Sequence, residues 1–460
     1  MKQIFLAFFL LVIFNNSYAS KFQANGVWYQ DNYHLEKSTD GSERWIFEYQ
    51  VVDGEGYSGN ITIMDYVIDP NPLYEELKGK SVPVTKIGTS AFWGTDITSV
   101  SIPGTVRIIG GGAFMDCLSL TEIDIPEGVE VIDNAVFAGC KNLGRISIPS
   151  TVKAIGMSTF RNCEKLKELF IPNSVEMMFD DLSSCYGLEK LTFEEGGAPI
   201  ELSSMDLSRT PIKELIWGRN IVSDKNNPNK SMYFGGKSLE RAILGNSLTF
   251  IPAYAFAGCS KLTHILMPSF LTEIRSCAFS NCTSLEQINI PSIVKVIGKH
   301  AFWNCYNLQK LSSTSEDGVF ELPQDVDSIS IDAFKNCSAI RELVVPFACR
   351  KMSLAFEDCY SIVKVTSYAP VPPEITKYTF ENKVYNNATL ICPTPEAYKV
   401  AEGWKYFGKI VASSDTSIPQ ISQQQDNTSI YDLKGRQRHI NDGYQKGIYI
   451  VNGKKVMLSK

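Results

Sequence analysis

The sequence predicts a repeat solenoid, a right-handed parallel β solenoid of about twelve turns of 22–26 residues with β caps at its ends. The first observation behind this prediction is a period. Nine of the twelve cysteines share one repeat position, spaced by 22 or 23 residues apart from one gap of 32 and one stretch of units without cysteine: Cys117, Cys140, Cys163, Cys185, Cys259, Cys282, Cys305, Cys337 and Cys359. The second observation is that apolar residues keep constant offsets from this position, as Phe114 and Leu120 do around Cys117. Such turns bury their apolar side chains only against their neighbours.

Each unit contains one short strand that ends at a proline. In "LTEIDIP", Leu120, Ile123 and Ile125 are predicted to point inward, and Glu122 and Asp124 outward, because side chains alternate along a strand. The proline limits extension of the strand because it lacks an N–H group. Strands stacked about 4.8 Å apart would build a ladder on the order of 55 Å long. The array therefore offers a large surface for recognition.

The repeated cysteines are predicted to be small apolar plugs in the core. No cysteine or histidine spacing matches a metal site, and the histidines are scattered at His34, His264, His300 and His439. Equivalent cysteines on stacked turns would stand one strand spacing apart, wider than the ~3.8 Å between the Cβ atoms of a disulfide. Three units carry Thr95, Thr210 or Gly236 at the position of the cysteine. These replacements indicate that the position requires a small residue rather than the chemistry of a thiol. Any disulfide is better sought among the cysteines off the column, Cys277, Cys349 and Cys392.

The N-terminal residues 1–19 are predicted to be a signal peptide. Lys2 supplies a positive charge, an apolar run follows, and Ser17, Tyr18 and Ala19 form a cleavage site. The apolar run is well short of the ~20 residues that span a bilayer, and no later segment is a transmembrane candidate. With 44 Lys and Arg against 50 Asp and Glu, the net charge of -6 makes nucleic acid an unsuitable partner. A secreted or cell-surface location is expected.

The repeated unit, roughly I-P-x-x-V-x-x-I-x-x-x-A-F-x-x-C-x-x-L-x-x-I, resembles that of the BspA-type leucine-rich-repeat family of bacterial surface proteins. The resemblance covers residues 82–366. It implies a leucine-rich-repeat solenoid and an adhesion or recognition protein at the bacterial surface. It also implies partners among host matrix, plasma or cell-surface proteins.

Two columns of outward side chains run along the predicted sheet face. The first alternates in charge and predicts a solvated charge ladder: Glu122, Arg145, Glu168, Lys190, Glu214 and Arg241. The second, two residues further along each strand, becomes apolar in its middle at Phe170, Ile216, Ile243 and Leu266. A monomer normally avoids exposing such a stripe, so we predict a protein-binding patch there, bordered by Glu168, Lys190, Glu214 and Arg241. One alternative is that the loop 220–231 covers the stripe. The other is that these residues occur there because of their β propensity, on a face that tolerates apolar side chains.

Both ends of the array are predicted to be capped. Residues 20–81 carry the strand-like stretches "RWIFEYQVV" and "NITIMDYVI", joined by "DGEGYSG", which predicts an N-terminal β hairpin cap. Residues 367–412 are predicted to form a C-terminal cap with a strand, a short helix and the covering aromatics Tyr398, Trp404 and Phe407. The polar residues 413–428 are typical of a linker.

The last segment, residues 429–460, looks like the C-terminal sorting segment of proteins exported by the type IX secretion route. Tyr431, Asp432, Gly435 and Arg436 match its Y-D-x-x-G-R stretch, and Gly447 and Tyr449 belong to the G-[IV]-Y-[IL]-V stretch. The resemblance implies that this segment is read by export machinery. A retained small β domain is the alternative interpretation.

The chain has no sequence motif of a known catalytic centre, including G-x-S-x-G, H-E-x-x-H and the phosphate loop. The only local set for a hydrolase is His34 with Asp31 or Glu36. We therefore predict a non-enzymatic adhesion and recognition protein without a cofactor or metal, which binds macromolecules through the sheet face and loops. The alternatives are a carbohydrate-binding surface protein, for which glycans are partners, and a structural spacer without a specific ligand.

Overall fold

The computed structural model describes residues 21–32, 34–37, 43–54, 56–72, 74–179, 182–202, 207–221, 233–312, 315, 318–413, 430–432, 437–438, 447–451 and 454–458. The predicted signal peptide lies outside this range, as does the predicted linker apart from Ser413. The chain divides into two compact units, Met1–Ala412 and Ser413–Lys460. Each unit is described separately below.

The described strands before the first repeat are β1 (Lys21–Ala24), β2 (Val27–Asp31), β3 (His34–Lys37), β4 (Glu43–Ile46), β5 (Tyr49–Val51), β6 (Ser58–Thr62), β7 (Tyr66–Val67) and β8 (Val82–Ile87). The repeats contribute β9 (Asp96–Ser101), β10 (Ile108–Ile109), β11 (Glu122–Asp124), β12 (Val131–Ile132), β13 (Arg145–Ser147), β14 (Ala154–Ile155), β15 (Glu168–Ile171), β16 (Met177–Met178), β17 (Lys190–Phe193), β18 (Glu201–Leu202), β19 (Glu214–Trp217), β20 (Arg241–Leu244), β21 (Phe250–Ile251), β22 (His264–Leu266), β23 (Glu273–Ile274), β24 (Val296–Ile297), β25 (Val319–Glu321), β26 (Ser328–Ile329), β27 (Glu342–Val345) and β28 (Lys364–Ser367). The first unit ends with α1 (Asn382–Asn387), β29 (Thr389–Cys392), α2 (Pro395–Val400) and β30 (Lys409–Ala412). Short 3-10 helices lie at Glu75–Leu77 and Trp404–Tyr406.

The first unit is a parallel β solenoid of about 13 turns, which confirms the predicted fold class. Each turn contributes to two parallel ladders. Ladder A contains the predicted sheet-face strands, in the pairings β6–β9, β11–β13, β15–β17–β19–β20–β22 and β25–β27–β28–β29–β30. Ladder B contains β5–β8–β10–β12–β14–β16–β18 and then β21–β23–β24–β26. Apolar side chains from both ladders meet between them in one continuous core.

The predicted N-terminal hairpin is wrong in its pairing. β5 and β6, which belong to its two arms, do not pair with each other. β5 pairs with β2 and with β8, whereas β6 pairs with β9. Residues 49–62 therefore place one strand in each ladder and act as a further solenoid turn, because parallel pairing with the first repeat buries both strands. The antiparallel pairs described in this region are β1–β2, β3–β4 and β7–β8.

Ladder A continues beyond the last recognisable repeat at residue 366. β28 pairs with β29, and β29 pairs with β30, both in parallel. Tyr398, Trp404 and Phe407 are buried against this end of the core. The stack of strands therefore reaches Ala412, the last residue of the first unit.

Stacked aromatic rings fill the core where the sequence repeats a phenylalanine. Phe92 and Phe114 lie 5.2 Å apart between ring centroids, and Phe114 and Phe137 lie 5.6 Å apart. A second stack runs through the later turns, at Phe256, Phe279, Phe302, Phe334, Phe356 and Phe380. Near-parallel rings in successive turns fix the rise of the solenoid, because each ring packs on the one below.

The cysteine column is buried, as predicted, and all twelve cysteines are free. Small size, however, is not the only property that this repeat position favours. Thiols of the column donate to the carbonyl oxygen of the phenylalanine one turn earlier, as Cys282 does to Phe256 at 3.2 Å. Thr210 keeps this bond, since its hydroxyl donates to the carbonyl of Leu182 at 3.3 Å. The position therefore favours a small side chain that is also a hydrogen-bond donor, although Gly236 fills it without one.

The second unit contains β31 (Ile430–Asp432), β32 (Gln437–Arg438), β33 (Gly447–Val451) and β34 (Lys454–Leu458). They form an antiparallel sheet in the order β32–β31–β33–β34.

Candidate functional site

The apolar stripe predicted from the sequence is a row of neighbouring side chains on ladder A. Phe170, Thr192, Ile216, Ile243 and Leu266 are direct register partners on five adjacent strands. Parallel strands lie about 4.8 Å apart, so the row is on the order of 20 Å long. Phe170 and Leu266, at its two ends, are 48% and 59% exposed. The three residues between them are partly exposed.

The stripe faces outward because the residues on either side of it in each strand are buried. In β15, Leu169 and Ile171 point into the core on both sides of Phe170. In β19, Leu215 and Trp217 do the same around Ile216. A one-residue shift in register would expose these four side chains and bury the stripe instead. The outward position of the stripe is therefore fixed by the core.

The predicted charged border lies in the same register, two residues before the stripe on each strand. Glu168, Lys190, Glu214 and Arg241 are successive partners on β15, β17, β19 and β20. Lys190 Nζ lies 4.0 Å from a carboxylate oxygen of Glu214. Within the described part of the chain, Glu168 and Arg241 form no ion pair of this length. Both charges are thus available to a partner.

The earlier part of the charge column is paired within the protein. Arg145 donates to Glu122 at 3.1 Å and to both carboxylate oxygens of Asp124, at 2.7 and 2.9 Å. The Arg145 guanidinium holds the pKa of Asp124 below its usual range. The charges of the column before the stripe are therefore paired within the protein, whereas the charge of Glu168 is not paired with any described residue.

The loop that was an alternative cover for the stripe can be followed only at its start. Asn220 and Ile221 are described, whereas residues 222–232 lie outside the described residues.

A second apolar segment of the same column was missed in the sequence. Val344, Thr366, Ile391 and Val411 are register partners on β27, β28, β29 and β30, and each is partly exposed. Ile391 and Val411 escaped notice because their strands follow no F-x-x-C unit. The alternation in "TLIC" and "KIVA" was the signal that could have found them.

A buried arginine holds the turn behind Ile216. Arg219 follows β19 and is completely buried, and its guanidinium donates to the carbonyl oxygens of Val175 and Ala198 on two earlier turns. Its Nε atom has no hydrogen-bond partner. Burial lowers the pKa of Arg219. The side chain thus ties three turns together beneath the middle of the stripe.

The residues of the possible hydrolase set lie in the N-terminal strands. His34 and Glu36 belong to β3, and Asp31 ends β2. Both carboxylate oxygens of Asp31 are buried without a hydrogen-bond partner. Burial, with the charge of Asp69, raises the pKa of Asp31.

The two halves of the predicted sorting segment meet in one sheet of the second unit. Tyr431 and Asp432 lie in β31, opposite Ile450 and Tyr449 of β33 in antiparallel register. Gly447 begins β33. Gly435 and Arg436 lie outside the described residues.

Within the described ranges, no three His, Cys, Asp or Glu side chains are grouped so that they could hold a metal ion. No helix in the same ranges has the length and apolar character needed to cross a membrane.

Comparison with known proteins identifies the repeat. A family profile described as "BspA type Leucine rich repeat region" matches residues 85–206, 229–317 and 314–396, in six copies. No curated protein sequence matches the chain.

Several solved structures are similar over much of the chain. A leucine-rich cell surface protein from Faecalibacterium prausnitzii is 22% identical, with 76% of this chain and 94% of that chain covered and a TM-score of 0.38. A leucine-rich repeat protein from Bacteroides ovatus is 22% identical, with coverage of 73% and 92% and a TM-score of 0.31. The pneumococcal vaccine antigen PcpA is 17% identical, with coverage of 86% and 98% and a TM-score of 0.36.

Proposed function

Because this chain belongs to the BspA-type leucine-rich-repeat family, we propose that it is an exported, non-enzymatic recognition protein that binds a protein partner at the cell surface. The binding surface is the apolar stripe of ladder A, from Phe170 to Leu266, with its border of Glu168, Lys190, Glu214 and Arg241. The partner class is a host matrix or cell-surface protein.

The exposure of the stripe is the observation that supports this proposal. Large apolar side chains at both ends of a row of five strands are about half exposed. Water at such a row is released when a complementary apolar surface covers it, at roughly 25 cal/mol per Å². The turns on either side of the stripe cannot provide this gain, because their residues in the same column are polar. These residues are Ser147 before the stripe and Asn289 after it.

The charged border supplies specificity. Glu168 and Arg241 carry opposite charges near opposite ends of the stripe, and neither has an ion-pair partner among the residues that the structure describes. A partner with a basic group near Phe170 and an acidic group near Ile243 would satisfy both. Charge complementarity of this kind sets orientation and association rate more than affinity.

Binding of the mature chain to immobilised fibrinogen, fibronectin and laminin tests the proposal. Phe170→Asp and Leu266→Asp place charges in the stripe, and each is expected to weaken binding at least tenfold. Ser147→Asp is the matched control, because it adds the same charge to the same column one turn before the stripe and should leave binding unchanged. Wild-type affinity in both stripe variants would contradict the proposal.

We also propose that residues 429–460 direct export. The pairing of β31 with β33, which brings the two matching stretches together, supports this role. Deletion of residues 429–460 is expected to leave the solenoid inside the producing cell, whereas the full chain reaches the surface or medium. Equal export of both chains would favour a retained β domain instead.

A further inference from the structure

A row of asparagine side chains runs along the loops of the later turns. Asn281, Asn304 and Asn336 have φ angles of 62°, 61° and 64°, in the left-handed region that asparagine tolerates better than most residues. Asn304 Nδ2 donates to Asn281 Oδ1 at 2.9 Å, and Asn336 Nδ2 donates to Asn304 Oδ1 at 2.8 Å. Each amide is therefore held in one orientation. The central amide, of Asn304, still offers one N–H and one lone pair outward.

Two aromatic side chains flank the middle of this row. Trp303 and Tyr306 are 36% and 44% exposed. The repeat position of Trp303 holds Ala257 and Ser280 in the two preceding turns. The position of Tyr306 holds Thr283 before it and Ser338 after it. Tyr306 therefore has short side chains on both sides, whereas Trp303 has Ser280 on the preceding turn and Lys335 on the following one. The short side chains leave room for a flat molecule to lie against each ring on at least one side.

A histidine and a carboxylate complete the surface. His300 Nε2 and Asp332 Oδ2 lie 3.0 Å apart, and both side chains are partly exposed. The centroid of the His300 ring is 5.7 Å from that of Trp303. When Nε2 carries the hydrogen, the bond to Asp332 leaves Nδ1 of a neutral His300 as an acceptor. The carboxylate retains acceptor capacity of its own.

We propose that this surface, the glycan platform of His300, Trp303, Asn304, Tyr306, Asp332 and Asn336, binds a neutral oligosaccharide. A sugar ring presents C–H groups on one face and hydroxyl groups around its rim. The face stacks on Trp303, as apolar groups do on an aromatic ring. The rim hydroxyls donate to Asp332 and His300 and both donate to and accept from the amide row.

The local charges select a neutral ligand over an anionic one. Asp332 would repel a carboxylate or sulfate on the sugar. The nearby cation Lys335 is already engaged, 2.9 Å from Glu357 and 3.9 Å from Asp358. Lys335 is thus not free to receive an anion.

Backbone conformation alone does not account for the platform. The left-handed φ angle explains why asparagine occupies the row. It places no requirement on the residue before each asparagine, which is Trp303 in the turn of Asn304. Trp93 occupies the same repeat position near the N-terminus, is 60% exposed and donates from Nε1 to Asp116 at 3.2 Å. It has glycine, Gly94, where Trp303 has Asn304. Trp93 thus lacks the amide beside it and provides a matched comparison.

Isothermal titration of the full mature chain with maltotetraose, cellotetraose, mannotetraose and chitotriose tests this proposal. We expect at least one of the four to bind with a Kd between about 10 µM and 10 mM. Trp303→Ala should weaken that binding about tenfold, and Trp303→Phe, which keeps a flat ring, should retain most of it. Trp93→Ala should leave it unchanged.

A second variant separates the amide from the fold. Asn304→Gly keeps the left-handed backbone, removes the amide and is expected to weaken sugar binding about fivefold. The variant should remain folded, with a small loss of melting temperature because two hydrogen bonds within the row are also lost. Absence of heat from all four sugars at about 10 mM, or equal binding by Trp303→Ala and wild type, would overturn the proposal. The platform does not depend on the apolar stripe, since Phe170→Asp should leave sugar binding intact.

Discussion

The thiol of Cys140 donates a hydrogen bond to the carbonyl oxygen of Phe114, with Sγ and O 3.0 Å apart. The same bond recurs from Cys305 to Phe279 at 3.1 Å and from Cys359 to Phe334 at 3.1 Å. It links each turn to the one before it at the centre of the core. The cysteine column is thus a ladder of side-chain hydrogen bonds as well as a row of small apolar groups.

The donor role predicts a difference between two isosteric substitutions. Cys282→Thr keeps a donor for the carbonyl of Phe256, as Thr210 does for Leu182, whereas Cys282→Val removes it. We expect the valine variant to be less stable than the threonine variant by about 0.5–1.5 kcal/mol in chemical unfolding. Equal unfolding midpoints for the two variants would show that the position requires only a small side chain.

The buried thiols predict a loss of stability at alkaline pH. Burial raises the pKa of Cys305 to about 12, whereas an exposed thiol ionises near about 8.5. The stabilising contribution of the protonated thiol is therefore complete below about pH 8.5 and is lost as the pH rises towards 12, at about 1.4 kcal/mol per pH unit.

Cys305→Thr isolates this effect because it cannot ionise. The stability of this variant relative to wild type should increase by about 1.4 kcal/mol per pH unit between about pH 9 and pH 11, measured as unfolding midpoints in parallel series. A difference that stays constant across this range would show that the thiol ionises alike in the folded and unfolded chain.

Thiol labelling should distinguish one cysteine from the other eleven. Eleven cysteines are buried and Cys277 is partly exposed. We expect native protein to take up one equivalent of a maleimide quickly and denatured, unreduced protein to take up twelve, because none is in a disulfide. Burial raises the pKa of Cys277, so its labelling should keep quickening at alkaline pH values at which an ordinary exposed thiol is already ionised.

Cys277→Gly is the control for this experiment, since Cys277 has a φ of 57° and glycine accepts that conformation. The variant should lose the fast equivalent and keep its melting temperature. Fast labelling that persists in the variant would place an accessible thiol elsewhere in the chain.

Two neighbouring residues of β15 should respond in opposite ways to truncation. Leu169 is 2% exposed and packs in the core, so Leu169→Ala should cost about 2–5 kcal/mol. Phe170 lies on the outward face, and Phe170→Ala should cost less than about 1 kcal/mol. Comparable destabilisation by both variants, measured by thermal unfolding, would mean that the stripe is covered in the folded chain.

Periodic features of the protein were predictable from the sequence, and exceptions to the period were not. The alternation in "ELFI" placed Phe170 outward and Leu169 inward, and the register of β15 with β17 confirms it. The role of residues 49–62 was missed, because two strand-like stretches joined by a glycine-rich turn favour a hairpin unless the first repeat offers a parallel partner. Arg219 carries no pattern at all, and its function depends on carbonyls of two other turns.

The sequence by itself determined the solenoid, the burial of the cysteines and the outward position of the stripe, because these follow from a period that every turn repeats. The tertiary structure decided which hydrogen bond each thiol makes, where ladder A ends and which side chains of different turns meet, as His300 meets Asp332 and Asn304 meets Asn336. Such contacts join residues 20 or more positions apart, so they depend on the rise and register of whole turns. The repeat predicts which positions of successive turns align, but it does not say which of the aligned side chains bond to each other.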